Sequence, residues 1–293
     1  MKVEKTQKIK SVLTDSFNYI IKKKYLNKYI SDFQHLPDKI FKNSKPVFVL
    51  STGRCGTDLL VKLFCAFKAG KVYHEPKPEM VYSSKVAYEL SENGLKARML
   101  GFISGRYDAL RESFLRNQRY IETNNRITFF SDAIYEMFPN SKFIHLVRHP
   151  GDFARSGIRR RYYYGHDYDD GRLTPVKTDP IFIQWDNMSQ LKKIGWLWNE
   201  TNQYIESIKN KFASDRIITI KAENLFRDPS TFITICSFLD LSPPNEKKIK
   251  SILKKPRNVQ YKGFFPRYTD WSDEQKQELI EVATLAPIYG YQL

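Results

Sequence analysis

Residues 48–60, FVLSTGRCGTDLL, are the first stretch of this chain whose residue types and spacing could bind an anion. A short apolar run ends in a turn that contains Gly53 and Gly56, and a helical pattern follows. Such a turn directs several backbone N–H groups and the positive end of a helix at one point. Arg54 adds a guanidinium group and Thr57 adds a hydroxyl group. The stretch therefore predicts an anion-binding loop, although it lacks the GxxxxGK[ST] pattern that binds triphosphates.

A second stretch with this potential is FIHLVRHPGDFARSG, residues 143–157. Its apolar pattern predicts a strand that ends at Arg148, and Pro150 is typical of the first position of a helix. Because Ser156 lies two turns into that helix, Arg148 and Ser156 can converge on a second anion. Taken alone, each stretch also has a plainer interpretation: a tight turn for the loop, and a surface arginine with a solvated serine here.

Together the two stretches resemble the sulfotransferase family, whose enzymes use 3′-phosphoadenosine 5′-phosphosulfate (PAPS). The resemblance covers roughly residues 46–293 and includes FPNSKFIHLVRHP, RIITIKAENLFRDPSTFITICSFLDL and WSDEQKQELIEVATLAPIYGYQL. Asn224 departs from the family pattern, in which an acidic residue is usual, and IETNN lacks a lysine often seen after its strand. The resemblance implies an α/β, P-loop NTPase-like sulfotransferase fold with a central parallel β-sheet flanked by helices.

The resemblance also implies how PAPS is bound. The 5′-phosphosulfate is expected at Arg54 and the loop amides, and the 3′-phosphate at Arg148 and Ser156. The residues implied for nucleotide binding are Arg54, Cys55, Gly56, Thr57, Asp58, Arg148, Ser156, Lys262 and Arg267. A phosphosulfate carries less charge than a triphosphate, which removes the need for the loop lysine and for magnesium. No metal is therefore expected.

A base for the acceptor hydroxyl is expected in KVYHEPKPEM, residues 71–80. Many carbohydrate, tyrosylprotein and bacterial sulfotransferases place a catalytic glutamate at the start of this segment, so the resemblance implies Glu75. His74 is the second candidate, and the plainer interpretation of Glu75 is an ion pair with a nearby lysine. Arg54 is included among the catalytic residues because it would stabilise charge on the leaving phosphate.

Two other residues, a histidine and a cysteine, have side chains that can act in catalysis, but their positions do not favour a catalytic role. His145 belongs to a strand that should be buried, so a hydrogen-bonded core histidine is favoured over a catalytic one. Cys55 lies within the loop, but phosphatases that combine cysteine and arginine in a loop use the order CxxxxxR, and here the arginine comes first. Cys55 is expected to contribute its backbone N–H group.

The elements that must position these residues alternate along the chain. Strands are predicted in VFVLS, RYIETNN, SKFIHLV and RIITIK, each followed by a helical pattern. This alternation predicts a parallel sheet of about five strands, covered on both faces, in a domain over residues 41–293. Residues 76–118 and 162–184 are interpreted as loops that form the acceptor pocket.

An N-terminal extension over residues 1–40 is predicted to precede this domain. Residues 5–33 carry apolar side chains at near-helical spacing with lysines between them, which predicts a basic amphipathic helix. Packing of this helix against the body of the protein is favoured over contact with an anionic membrane.

The composition narrows the class of protein. Forty-eight Lys and Arg against 32 Asp and Glu give a formal charge of +16, which favours anionic partners. Three cysteines without CxxC spacing indicate neither a disulfide framework nor a zinc site. The N-terminus lacks the uninterrupted apolar run of a secretory signal or a spanning helix, so we expect a cytoplasmic protein.

The predicted activity is sulfuryl transfer from PAPS to a hydroxyl or amine of a glycan, lipid or metabolite. A P-loop kinase of a small hydroxyl substrate is one alternative, but the Walker lysine is missing. A non-catalytic binder of acidic polymers is another, which would explain the charge but not the paired anion motifs. Basic and aromatic residues occur together in RRRYYYGH, residues 159–166, and would suit stacking of an adenine and binding of a 3′-phosphate. The same composition is compatible with nucleic-acid binding, but without a nucleic-acid motif a nucleic-acid partner is not favoured.

Overall fold

The structure is a computed structural model that describes residues 20, 33–90, 92–242, 244–254 and 263–293. Within these residues the centre of the molecule is a five-stranded parallel sheet with the strand order β2-β3-β1-β4-β5. The strands are β1 (Val47–Leu50), β2 (Lys71–His74), β3 (Tyr120–Thr123), β4 (Lys142–Val147) and β5 (Ile217–Lys221). The prediction of a parallel α/β sheet is confirmed.

The central strands of the sheet were easier to predict from the sequence than the edge strand β2, because they are buried on both faces. In β1, Val47 lies opposite Ile121 of β3 and Lys142 of β4, and every residue of β1 is buried. A parallel strand covered on both faces gives a continuous apolar run, as VFVL does. β2 forms an edge of the sheet, and both its end residues, Lys71 and His74, are exposed. The pattern of β2 is correspondingly weak, and the sequence did not single it out as a strand.

Helices cover both faces of the sheet, and alternate residues of β1 face opposite sides. Phe48 and Leu50 belong to a large apolar cluster on one face, whereas Val47 and Val49 belong to a smaller cluster on the other. The helices are α1 (Leu36–Asn43), α2 (Thr57–Ala66), α3 (Val81–Glu89), α4 (Leu95–Leu115), α5 (Ser131–Met137), α6 (Pro150–Ile158), α7 (Gln190–Lys209), α8 (Ala222–Arg227), α9 (Pro229–Phe238), α10 (Glu246–Leu253) and α11 (Asp273–Val282).

The prediction of a loop over residues 76–118 is wrong, because α3 and α4 occupy most of this segment. The buried face of α4 repeats every four residues, through Arg98, Phe102, Arg106 and Leu110. Two of these four positions hold arginines that pair with carboxylates. The apolar periodicity that normally reveals a helix is therefore interrupted on the face that packs against the core.

The segment 162–184 agrees better with its prediction, since it is irregular apart from 3₁₀ turns at Asp169–Gly171 and Pro180–Asn187. Leu36 and Ile40 of α1 are buried in the large apolar cluster, so the packed body includes residues before position 41.

The predicted helix over residues 5–33 lies almost wholly outside the described residues. Among the helices that the structure does describe, none combines the length and the apolar composition needed to cross a membrane.

Candidate active site

The strands of the described sheet all end at the same edge, because they are parallel. The connections that leave this edge surround a cavity of about 860 Å³. The turn after β1 brings Arg54 to the cavity and the end of β4 brings Arg148, and we name this side the loop end. Glu75 follows β2 and Arg126 lies just after β3, and we name that side the glutamate end. The strand order therefore separates the two ends along one edge.

The loop after β1 is shaped by left-handed backbone. Gly53, Arg54 and Gly56 have φ angles of 77°, 57° and 95°. Gly56 immediately precedes α2, and no side chain caps this helix. The first N–H groups of α2 lack intrahelical partners and lie at the wall of the cavity, where Thr57 contributes to the lining. A Cβ atom on Gly56 would lie 2.4 Å from Cε1 of Phe226, so this position requires glycine for space as well as for its φ angle.

Cys55 points away from the cavity and is fully buried. Its Sγ lies 2.9 Å from the carbonyl oxygen of Gly53 and 3.1 Å from the hydroxyl of Thr52. Burial raises the pKa of the Cys55 thiol to about 11, which keeps it protonated at neutral pH. A nucleophilic role is excluded by this environment, and only the backbone N–H group of Cys55 can serve a ligand.

The two sequence motifs meet at the loop end. Arg148 donates from Nη1 to the carbonyl oxygen of Arg54 at 2.8 Å, and Arg54 donates from Nε to the hydroxyl of Ser156 at 3.3 Å. Trp198 donates to the carbonyl oxygen of Arg148 at 2.8 Å, which anchors the end of β4 to α7. The structure thus brings together Arg54, Arg148 and Ser156, as the sequence predicts. Their assignment to particular phosphates stays a prediction.

Further arginines of α6 and the turn after it surround this group. Arg160 lines the cavity and lies 3.5 Å from the hydroxyl of Ser156. Burial, followed by the nearby charge of Arg54, lowers the pKa of Arg160. Arg155 donates to the carbonyl oxygen of Phe265 and thereby ties the C-terminal segment to α6.

Three of the predicted nucleotide contacts that the structure describes are not among the residues that line the cavity: Cys55, Ser156 and Arg267. Arg267 is exposed. Burial lowers the pKa of Arg155 most, and the nearby charges of Arg159 and Arg267 lower it further, so Arg267 lies near α6. Lys262 lies outside the described residues. Asp58, by contrast, does line the cavity, and its carboxylate pairs with Lys62 at 2.7 Å. Asp58 can therefore offer its backbone N–H group more readily than its side chain.

At the glutamate end, Glu75 and His74 both line the cavity. Nδ1 of His74 lies 3.0 Å from the carbonyl oxygen of Thr123. The hydroxyl of Thr123 lies 2.9 Å from the same nitrogen and can donate or accept. When Nδ1 donates to the carbonyl oxygen, Nε2 is the nitrogen that can accept a proton. The side chain of Glu75 is 44% exposed, and its Oε2 lies 3.9 Å from Nη1 of Arg126. The ion-pair partner of Glu75 is therefore an arginine and not a lysine. Arg126 also lies 3.4 Å from the carboxylate of Glu79.

Residues 162–173 cross over the glutamate end, and we name them the lid. Tyr168 of the lid places its ring 4.9 Å from the guanidinium carbon of Arg126. Arg172 stacks on the ring of Tyr162 at 3.5 Å and pairs with Asp169 at 2.8 Å. Gly171 packs so closely on α3 that a Cβ atom there would lie 2.3 Å from a side-chain carbon of Val81. The lid is therefore held down on α3 rather than extended into solvent.

Under the lid the cavity wall becomes mostly apolar. The structure brings together here side chains from α3, from the 3₁₀ turn Asn125–Phe130, from the lid and from α7. Those that line the cavity are Val81, Ser84, Phe129, Leu173, Leu197 and Thr201. All of them except Val81 are buried. This part of the cavity can hold an apolar group, with two hydroxyls available for orientation.

The family comparison rests on sequence. A family model described as "Sulfotransferase family" matches residues 89–245, which is more than half of the 293 residues. The chain belongs to the sulfotransferase family. The match includes Arg148 and Ser156 but begins after the loop and Glu75. A search of curated proteins found no significant sequence match.

Solved sulfotransferase structures share the fold. The sulfotransferase STF9 from Mycobacterium avium has a TM-score of 0.52 at 11% identity, covering 92% of this chain and 82% of that one. The sulfotransferase domain of the curacin biosynthetic pathway has a TM-score of 0.50 at 15% identity, covering 86% and 99%. Mouse sulfotransferase SULT7A1, solved with PAP, has a TM-score of 0.50 at 14% identity, covering 87% and 90%. At these identities the similarity shows the fold alone.

This sulfotransferase also contains cavity residues that the sequence did not reveal. Arg126 lies just beyond IETNN, the segment noted for lacking a lysine, so a cation does reach this strand end. Its position near the end of a predicted strand was the available signal. Phe226 and Arg172 became recognisable only through their contacts. Arg160, by contrast, belongs to the basic and aromatic run at 159–166 that the sequence analysis singled out. Within the described part of the chain, no group of three or more His, Cys, Asp or Glu side chains could hold a metal ion.

Proposed function

We propose that this sulfotransferase transfers the sulfuryl group of PAPS to a hydroxyl group of a compact acceptor. The observation that supports this proposal most directly is the convergence of Arg54, Arg148 and Ser156 beside the N-terminus of α2. Two anionic groups at neighbouring positions would satisfy this arrangement, and a nucleotide with a 5′-phosphosulfate and a 3′-phosphate supplies both.

The residues of the loop end would bind the nucleotide. Arg54 and the N–H groups of residues 55–58 would hold the 5′-phosphosulfate and stabilise charge on the leaving phosphate. Arg148 and Ser156 would hold the 3′-phosphate, with Arg160 adding positive charge beside the serine. The backbone at Arg148 is held before the reaction begins, because its carbonyl oxygen accepts a hydrogen bond from Trp198.

The residues of the glutamate end would activate the acceptor. The acceptor oxygen attacks sulfur, the bond between sulfur and the phosphate oxygen breaks, and adenosine 3′,5′-bisphosphate leaves. Glu75 would take the proton of the acceptor hydroxyl. Arg126 would keep its carboxylate directed at the cavity. His74 is the alternative base through Nε2.

Among glycans, lipids and metabolites, the cavity favours acceptors with an apolar body. The wall under the lid is largely apolar, and the arginines at this end already contact carboxylates within the protein. The lid also crosses the glutamate end, which suits a small acceptor better than a long polymer. We therefore propose a hydroxylated lipid or an aromatic metabolite.

The nucleotide assignment is tested by thermal-shift titration with adenosine 3′,5′-bisphosphate and, separately, with ATP and magnesium. Because a ligand of the native state raises the melting temperature as its concentration exceeds its dissociation constant, we expect a shift with the bisphosphate. Arg148→Ala should abolish this shift. Arg111→Ala is the charge-matched control, since Arg111 pairs with Asp108 on α4.

The other outcomes distinguish other functions. A shift only with ATP and magnesium would indicate a kinase. Binding to heparin that the bisphosphate does not affect would indicate a binder of acidic polymers. The acceptor class is tested by comparing transfer to 2-naphthol with transfer to a heparan disaccharide, and preference for the disaccharide would contradict an apolar acceptor.

A further inference from the structure

An ion pair lies buried behind the glutamate end, outside the lining of the cavity. Arg106 of α4 and Glu122 of β3 are 1% and 0% exposed, and Nε of Arg106 lies 2.9 Å from both carboxylate oxygens. Neither side chain lines the cavity, and neither has a part in the proposed chemistry. Removing two charges from water costs so much that such a pair contributes little net stability. Its contacts with neighbouring segments suggest another role.

Arg106 supports the segment that carries the proposed base. Its Nη1 donates to the carbonyl oxygen of Pro78 at 2.9 Å. Pro78 lies between Glu75 and Glu79, the two carboxylates that contact Arg126. The helix also approaches this segment closely, since a Cβ atom on the neighbouring glycine of α4 would lie 3.4 Å from the ring of Pro78. One guanidinium group thus joins β3 to residues 75–80.

Glu122 supports the turn that carries Arg126. It accepts a hydrogen bond from Nδ2 of Asn124 at 3.0 Å, and Oδ1 of Asn124 accepts from the backbone N–H of Arg126 at 3.1 Å. Asn124 is fully buried. Tyr120 donates a further hydrogen bond to Glu122 at 2.6 Å. The carboxylate therefore joins α4 to the turn after β3.

The two sets of contacts meet again in the cavity, where Arg126 lies 3.9 Å from Glu75 and 3.4 Å from Glu79. The backbone on each side of this contact is held by the same buried pair. We infer that Arg106 and Glu122 are positioning residues, which fix the carboxylate of Glu75 relative to Arg126 during sulfuryl transfer. This inference rests on the proposed role of Glu75 as the base.

The same helix contains a matched pair that can serve as a control. Arg98 lies two turns before Arg106 and contacts Asp132 at 2.6 Å, with side-chain exposures of 6% and 22%. Arg98 also donates to the carbonyl oxygen of Leu90. This pair joins α4 to α5, and neither of its side chains lines the cavity. Its removal changes a comparable interaction away from residues 75–80.

The test uses the full chain and two double variants that remove both charges of a pair. They are Arg106→Met with Glu122→Gln, and Arg98→Met with Asp132→Asn. Glutamine at 122 can accept from Asn124 through Oε1, and its Nε2 can donate to the hydroxyl of Tyr120, which favours folding. Arg106→Lys is the conservative variant, because lysine keeps the charge beside Glu122 but lacks the fork that reaches both partners.

Hydrogen–deuterium exchange is the first measurement, since it needs no substrate. We expect exchange of residues 75–80 to become about tenfold faster in the Arg106/Glu122 variant and to remain unchanged in the Arg98/Asp132 variant. In Arg106→Lys the increase should be smaller. Unchanged exchange of residues 75–80 in the Arg106/Glu122 variant and in Arg106→Lys, or equal changes in both double variants, would overturn the inference.

Kinetics with PAPS and 2-naphthol are the second measurement. We expect kcat of the Arg106/Glu122 variant to fall by about tenfold to a hundredfold, as for a misplaced catalytic group, with KM for PAPS unchanged. Arg106→Lys should recover part of kcat. Faster exchange with an unchanged kcat would also overturn the inference. Failure of the wild type to bind adenosine 3′,5′-bisphosphate would instead reject the proposed function, and the exchange data would still decide whether the pair holds residues 75–80.

Discussion

The two ends of the cavity hold their arginines in different ways. At the loop end, Arg54 contacts a hydroxyl, and Arg148 contacts a carbonyl oxygen and, at 3.4 Å, the half-exposed carboxylate of Asp152. At the glutamate end, Arg126 lies between two carboxylates and Arg172 pairs with Asp169 at 2.8 Å. Carboxylates therefore balance the arginines of the glutamate end more completely than those of the loop end.

Because of this difference, we expect the arginines at the two ends of the cavity to have different roles. An arginine that contacts neutral oxygens can exchange them for a phosphate at little cost, because it gains a charge-assisted pair. An arginine that already holds a carboxylate orients that carboxylate and offers less attraction to a second anion. Substitutions at the loop end should therefore affect the nucleotide, and those at the glutamate end should affect the chemical step or the acceptor.

The largest effect is expected for Glu75→Gln. Loss of a general base lowers turnover by about 10²-fold to 10⁴-fold, so kcat with 2-naphthol should fall by this amount while binding of adenosine 3′,5′-bisphosphate is unchanged. Glu79→Gln is the control, because Glu79 contacts the same arginine. If His74→Gln removes activity and Glu75→Gln does not, the base is His74.

A somewhat smaller effect is expected for Arg54→Ala. Loss of one donor to the leaving group should lower kcat by about 10²-fold to 10³-fold.

In the wild type, KM for PAPS should rise with ionic strength, whereas KM for an uncharged acceptor should not. Steady-state kinetics at two salt concentrations measure both quantities, with Arg111→Ala as the control. A salt-dependent KM for the uncharged acceptor would contradict the difference between the two ends.

The strand behind the loop end should make stability depend on pH. His145 of β4 is fully buried and hydrogen-bonded through Nε2 to Asn202 at 2.9 Å, as the sequence predicts for a core histidine. Burial lowers its pKa from 6.5 to about 3. Between these values the unfolded chain binds more protons, so the stability contributed by neutral His145 is lost as the pH falls below 6.5.

Urea unfolding at pH 7 and pH 5 measures this loss. The free energy of unfolding of the wild type should fall by about 2 kcal/mol more than that of His145→Gln, whose side chain does not titrate. An equal fall in the two proteins would show that His145 does not contribute to the acid sensitivity of β4.

The smallest effect is expected for Tyr168→Phe at the glutamate end. Interaction of its hydroxyl with Glu79 raises the pKa of Tyr168, and the substitution removes this hydroxyl but keeps the ring beside Arg126. KM for the acceptor should rise by less than about tenfold, with KM for PAPS unchanged. A larger change in KM for PAPS than in KM for the acceptor would show that the lid acts on the nucleotide and not on the acceptor.

Much of the fold could be predicted because short, local sequence patterns indicate its strands and helix starts. The run VFVL and the proline after Arg148 reveal a buried strand and a helix start without reference to the rest of the chain. α4 could not be predicted, because its buried face contains Arg98 and Arg106, whose partners lie 34 and 16 residues away. Burial of a charge depends on the partner that folding supplies, and a pattern of apolar residues cannot show it.

The sequence by itself determined the shape of the loop end, since a glycine turn before a helix is built from contiguous residues. It also indicated Arg148 and Ser156, which lie on one strand and the helix that follows. Only the tertiary structure decided that Arg54 reaches Ser156 across 102 residues of chain and that Arg126 faces Glu75. It also decided that one buried pair supports both sides of that contact. These contacts join distant segments, and packing of the sheet and helices brings those segments within hydrogen-bonding distance.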